Sequence, residues 1–190
     1  MKSILKKLIT NGILSPHEIS SIQIKETKIN KGTILQRAGE PGGRAFYVKE
    51  GLVRAYTIDE KGKEHIFMFA SEGWMVSDFE WRENAPALLF VDCIEDSLLE
   101  IIEQNDIIKL NRLFETKQVP NQINQLMNRI RVLQKRIILL MSADTLTRYE
   151  DFIETYPDIV QRVPQRMIAS YLGVTPEALS KIKSKMLKKH

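Results

Sequence analysis

The stretch Val163–Leu187, VPQRMIASYLGVTPEALSKIKSKML, decides the reading of the chain. It fits two short helices with a glycine turn between them. Pro164 opens the first, and Met167, Ile168, Tyr171 and Leu172 recur on one side at helical spacing. Gly173 supplies the conformation needed to leave that helix. Thr175 then stands as an N-cap, Pro176 at the first helical position and Glu177 in the first turn. The second helix has an apolar side of Ala178, Leu179, Ile182 and Met186. It turns Glu177, Ser180, Lys181, Lys183 and Lys185 outward or sideways. Such a pair is a helix-turn-helix, whose second helix is sized for the DNA major groove. The same pattern occurs in α-hairpins that touch no nucleic acid, and charge separates the two readings. Residues 161–190 carry Arg162, Arg166, Lys181, Lys183, Lys185, Lys188 and Lys189 against the single acid Glu177, a balance of +6 in a chain of total charge +4. Residues 1–160 therefore sum to about −2. Positive charge gathers at one end, as a phosphate-facing surface requires.

Working back from this stretch, Leu146, Tyr149, Phe152, Ile153 and Tyr156 give the preceding helix a buried face, and Pro157 ends it. Before that, Val119, Ile123, Leu126, Ile130, Leu133, Ile137 and Leu140 are spaced alternately four and three apart, an unbroken heptad ladder. Asn121, Gln125, Arg129, Arg131, Gln134 and Arg136 form its solvated flanks, and Pro120 suits its first turn. A helix packed on its own domain is the plain reading. A narrow stripe on a helix that joins two modules favours a two-stranded seam. Seven apolar residues per chain supply on the order of 10 kcal/mol to such a seam after discounts for entropy.

The first hundred residues change period. Ser15-Pro16-His17-Glu18 is a capping box with proline at the first helical position. From Ile24 onward short apolar runs alternate with turns at Asn30–Gly32, Glu40–Gly43, Glu50–Gly51 and Asp59–Lys63. Leu88–Cys93 and Ser97–Ile102 read as two more strands, and Asn105–Leu113 as a helix. Short strands with glycine turns about every ten residues predict a small antiparallel barrel or roll. Asp92, Glu95 and Asp96 read as a solvated turn between strands. The expected class is α+β: an N-terminal antiparallel β-roll of jelly-roll type, a long dimerisation helix and a C-terminal helix-turn-helix. The expected segments are 1–114, 115–142 and 143–190.

Composition bounds the rest. The chain has 190 residues, 43% of them hydrophobic, and no apolar run approaches the roughly 20 residues of a membrane span. MKSILKKLIT reads as a short amphipathic helix rather than a signal peptide. Cys93 is the only cysteine. It suits a reducing cytoplasm, reads as a small core residue, and excludes an iron–sulfur cluster held within one chain. His17, His65 and His190 are scattered, so neither a metal nor a haem ligand set emerges. No nucleophile–base pair, phosphate-cradling loop or paired catalytic carboxylates are present, which argues against an enzyme, a cupin-type one included.

A β-roll, a dimer-forming helix and a C-terminal helix-turn-helix, in that order, resemble the CRP/FNR family of bacterial transcription regulators. Lys31-Gly32-Thr33-Ile34-Leu35, Phe46–Arg54, the heptad helix and Ile168–Ser180 carry the resemblance, which covers nearly the whole chain. It implies a homodimer on a two-fold symmetric operator in double-stranded DNA. It also implies that a ligand in the roll repositions the helices. By position, Thr175, Pro176, Glu177 and Lys181 meet bases and phosphates, with Ser180, Lys183 and Lys185 beside them, and Gln165 and Arg166 meet the backbone. Glu177 is placed to accept from cytosine N4 and Lys181 to donate to guanine. Many relatives carry arginine where Pro176 and Lys181 stand, so their preferred base sequence does not carry over. RNA polymerase and an unknown small-molecule effector are further partners the resemblance allows; a membrane is not.

The chain departs from the family in two places. Ser77-Asp78 and Pro86-Ala87 stand where the family's cyclic-nucleotide pocket has its ribose-binding Gly-Glu and its phosphate-binding arginine. A buried phosphate would lack its partner, so cyclic AMP is not expected and no cofactor is assigned. Arg82 is the one nearby substitute. Trp74 and Met75 join these five residues as the candidate effector pocket, whose plain reading is roll filling. Only three residues follow Leu187, so little or no β-hairpin wing is expected. That motivates an alternative, a ligand- or protein-binding roll that has lost specific DNA binding.

Overall fold

The computed structural model describes residues 3–77, 85–116 and 120–187. Residues 1–57 and 67–119 form one compact unit, and residues 58–66 and 120–190 a second.

The first unit is the expected roll. Its strands are β1 (Ile24–Ile29), β2 (Ile34–Gln36), β3 (Ala45–Glu50), β4 (Val53–Ile58), β5 (Glu64–Ala70), β6 (Met75–Ser77), β7 (Phe90–Cys93) and β8 (Ser97–Ile102). They make two four-stranded sheets, ordered β1-β8-β3-β6 and β2-β7-β4-β5. Alternating inward residues fill the roll: Phe46, Val48, Val53, Ala55, Val76, Val91, Cys93 and Leu99 form one buried cluster. Period-2 patterning places them there. Gly51 makes the β3–β4 turn at φ 95°. A Cβ at that position would meet Asp96 O at 2.6 Å, so the turn admits glycine alone.

Three helices complete this unit: α1 (Ile4–Thr10), α2 (Pro16–Ile19) and α3 (Gln104–Thr116). Leu14, Ile19, Ile22, Ala45, Ile102 and Leu110 form the buried cluster that joins these helices to β3 and β8. The predicted capping box is present at α2, where Ser15 N donates to Glu18 Oε2 at 2.8 Å.

One expectation changes here. Asp92 is not in a solvated turn with Glu95 and Asp96. It lies on β7 opposite Arg54 of β4. Their side chains, 12% and 8% exposed, form a bidentate ion pair at 2.8 Å and 2.9 Å. Two residues along, on the same face, the cross-strand pair Tyr56 and Phe90 stacks at 5.4 Å, and the Arg54 guanidinium lies 4.2 Å over the Tyr56 ring. The segment Trp74–Ser77 supplies strand β6, with Tyr47 paired to Met75 and Phe46 to Val76, in keeping with its plain reading as roll filling. Hydrogen-bonding capacity at this sheet edge outweighs the weak local strand signal of three residues.

The second unit holds α4 (Pro120–Ser142), α5 (Thr145–Thr155), α6 (Gln165–Leu172) and α7 (Pro176–Leu187), together with the β4–β5 hairpin tip. α4 thus forms one compact unit with the helices that follow it. Pro120 opens α4, as predicted. Among the described residues no helix is long and apolar enough to cross a membrane.

Candidate nucleic-acid interface

The interface is built on an aromatic core. Phe152, Tyr156 and Tyr171 contact one another at centroid distances of 5.2–5.6 Å, with Ile159, Ile168, Leu172 and Leu179 also buried. Burial raises the pKa of the Tyr171 phenol. Asp144 caps α5, accepting from Thr147 N at 2.8 Å. That backbone amide holds the Asp144 carboxyl below its ordinary range.

The turn between α6 and α7 closes as the sequence implies. Val174 N donates to Ala169 O at 3.0 Å and Gly173 N to Ser170 O at 3.2 Å, the paired bonds of a Schellman end. Gly173 has φ 70°. A Cβ there would sit 3.4 Å from Leu140 Cδ2, so backbone conformation rather than space demands glycine. Gly173→Ala is expected to cost about 1–2 kcal/mol, read as a lower midpoint in urea unfolding of the purified protein.

Thr175 caps α7, accepting from Ala178 N at 3.3 Å. The Glu177 carboxyl is held low by its own backbone N–H and then by the Thr175 hydroxyl. Glu177 therefore stays anionic at the helix N-terminus and is oriented by the cap. Gln165, Arg166, Thr175, Pro176, Glu177, Ser180 and Lys181 are all exposed. Glu177, Lys181 and Ser184 recur at helical spacing on the outer face of α7; Ser184 joins this face without having been singled out. One predicted member stands elsewhere. Lys183 is half-buried, near the Leu179 side of the helix. Lys185 borders a cavity of about 350 Å³ with Asp144, Thr145, Leu146, Ile182 and Met186. Lys183, six beyond Glu177, falls off this face, whereas Lys185 is exposed four beyond Lys181 and continues it.

Of the predicted seam, Val119 and the side chains of Ile123 and Leu126 lie outside the described residues. Ile130, Leu133, Ile137 and Leu140 are exposed, as are Met127, Ile138 and Met141, with Ile137 at 56%, Ile138 at 61% and Met141 at 81%. The apolar band is therefore wider than the heptad stripe toward the C-terminal end of α4. α4 is also engaged within its own unit, at the flank of that stripe. Arg136 donates to Ile66 O at 2.9 Å and Tyr171 O at 3.3 Å, and lies 4.0 Å over the Tyr171 ring.

The hairpin tip braces α6. Ser170 Oγ donates to Glu64 O at 2.7 Å and accepts from Ile66 N at 3.1 Å. Asp59 shapes the tip, accepting from Lys61 N, Lys63 N and His65 Nε2. Ser170, Arg136 and Arg148 are positioning residues that sequence reading missed. Their partners are backbone groups, which carry no sequence signal.

Of the candidate effector pocket, Asp78 and Arg82 lie outside the described residues. Met75 packs into the cluster around Ile102 and Leu110. Ser77 Oγ donates to Arg44 O at 3.4 Å. Ala87 is buried and its backbone bonds Gly39 and Glu40, beside Pro86, which bridges Pro41. Trp74 is 40% exposed. Among the described residues no group of three His, Cys, Asp or Glu is placed to hold a metal.

Residues 26–113 match the cyclic nucleotide-binding domain family. FixK2 from Bradyrhizobium japonicum superposes with a TM-score of 0.74 at 18% identity, over 88% of this chain and 86% of that one. The chain has the CRP/FNR fold. A CooA mutant from Carboxydothermus hydrogenoformans matches 100% of the chain and 86% of its own, with a TM-score of 0.70 at 17% identity. A CRP/FNR-family transcriptional regulator from Eubacterium rectale matches 96% of the chain and 87% of its own, with a TM-score of 0.67 at 20% identity. In sequence, the anaerobic regulatory protein of Pasteurella multocida is 28% identical over 82 residues, 43% of this chain and 30% of that protein's length. The Eubacterium rectale protein is described as a transcriptional regulator and the Pasteurella multocida protein as a regulatory protein.

Proposed function

We propose that the protein is a cytoplasmic, homodimeric transcription regulator of the CRP/FNR type. It binds a two-fold symmetric operator through the helix that starts after Thr175. The observation that carries this reading is the pairing, within one compact unit, of a capped and outward-facing α7 with an exposed apolar band on α4. Two copies joined along α4 present two α7 helices to successive turns of one duplex. Glu177 and Lys181 read base edges, while Gln165 and Arg166 hold phosphates. Cyclic AMP is not its effector, since Ser77, Pro86 and Ala87 offer no cationic partner for a cyclic phosphate.

Selection of bound fragments from random duplex DNA tests this reading, and a palindromic consensus is the expected product. Glu177→Gln/Lys181→Ala is expected to change or abolish that consensus. Arg166→Gln is expected to weaken all duplexes alike and reduce the salt slope by about one. Unchanged selection by the double variant would place recognition elsewhere.

A further inference from the structure

Arg148 stands one turn into α5, at the joint where only Ala143 and Asp144 separate α5 from α4. Its Nε donates to Ala143 O at 3.1 Å and its Nη2 to Leu140 O at 3.0 Å. Its Nη1 donates to Leu172 O at 3.1 Å. Leu140 and Ala143 lie at the C-terminal end of α4, and Leu172 is the last residue of α6. Carbonyls at helix C-termini lack partners within the helix and sit at the negative end of its dipole. A planar guanidinium can bond three of them at once, while an ammonium, one nitrogen on a flexible stem, cannot span them. One side chain therefore fastens the ends of α4 and α6 to α5. α6 in turn fixes α7 through the Gly173 turn and the shared buried residues Leu172 and Leu179.

We infer that Arg148 sets the half-site spacing this protein accepts, by fixing the angle between its dimer helix and its recognition helix. The inference rests on the dimeric DNA-binding reading above. α7 has 12 residues and is therefore about 18 Å long. A tilt of about 10° at the joint would move its far end by about 3 Å, close to the rise of one base pair. A fastened joint accepts one spacer length, and a loosened joint accepts several. Lost stability alone would weaken every spacer equally.

The test compares duplexes that share half-sites and differ by one or two base pairs in spacer. Wild type is expected to prefer one spacer by at least about tenfold, a difference within reach of three charge-assisted bonds. Arg148→Gln is expected to reduce that ratio below about threefold while remaining dimeric and folded. Where Arg148→Gln fails to fold, Arg148→Lys is read in the same series and is expected to lie between the two. A spacer ratio equal to that of wild type would overturn the inference. Spin labels at Gln134→Cys and Ser184→Cys, diluted with unlabelled protein, give a readout without DNA, and Cys93 is buried. The distance distribution is expected to be narrow in wild type and broad in Arg148→Gln. Equal widths would also overturn the inference. Broadening in a protein that selects no operator would instead overturn the functional reading and leave the joint standing.

Discussion

Leu133→Lys/Ile137→Lys is expected to turn the dimer into a monomer and remove most operator affinity. Both side chains are exposed on α4, at 37% and 56%, and each enters the seam from both subunits. Covering the remaining apolar surface of four such side chains contributes about 1 kcal/mol apiece. The dimer constant should therefore weaken by at least about a thousandfold, before any cost of bringing lysines together. A monomer engages one half-site, and loss of the second removes a further factor of about 10²–10⁴ from operator affinity. The fold of the unit should survive, because Arg136, rather than Leu133 or Ile137, makes the bonds from α4 to Ile66 and Tyr171. Sedimentation equilibrium and titration of the selected operator read the two effects. A variant that remains dimeric at wild-type concentrations would show that the apolar band is not the seam.

Asp92→Ala is expected to destabilise the roll by about 3–5 kcal/mol, the range for breaking a buried ion pair. It leaves the Arg54 guanidinium buried without the carboxylate that balances it. Typical domains hold only about 5–15 kcal/mol of stability. The melting temperature should therefore fall by about 10–20 °C. Arg54→Met/Asp92→Leu, which removes both charges and keeps apolar volume, should recover most of the loss. A fall of less than a few degrees in Asp92→Ala would show that the pair is solvated. Agreement between the single and double variants would show that the cost lies in packing.

These two predictions differ in how far the sequence alone could have led to them. The apolar stripe of α4 was legible because a heptad repeat is a local pattern that survives any tertiary arrangement. The same holds for the helix-turn-helix: Gly173, Thr175 and Pro176 act on their own backbone within a few residues, so their signals point to structure directly. Even there the sequence could not separate Lys181, on the outer face, from Lys183, turned toward Leu179. Both lysines look alike until the orientation of α7 on its core is known.

The Arg54–Asp92 pair was not legible. The two residues stand 38 positions apart, and only the β4–β7 register puts them opposite each other. An aspartate followed closely by two acids reads as a turn until a strand partner claims it.

The sequence by itself determined that the chain has a β-roll, a long helix with an apolar stripe and a capped, cationic helix-turn-helix, because each follows from periodicity and capping within short windows. Tertiary structure alone decided that Ile66 is held by Ser170 and Arg136, that Arg148 gathers the ends of α4 and α6, and that the hairpin tip belongs with the C-terminal helices. Those bonds run to backbone carbonyls and amides, which every residue owns, so no side-chain pattern announces which of them will be used.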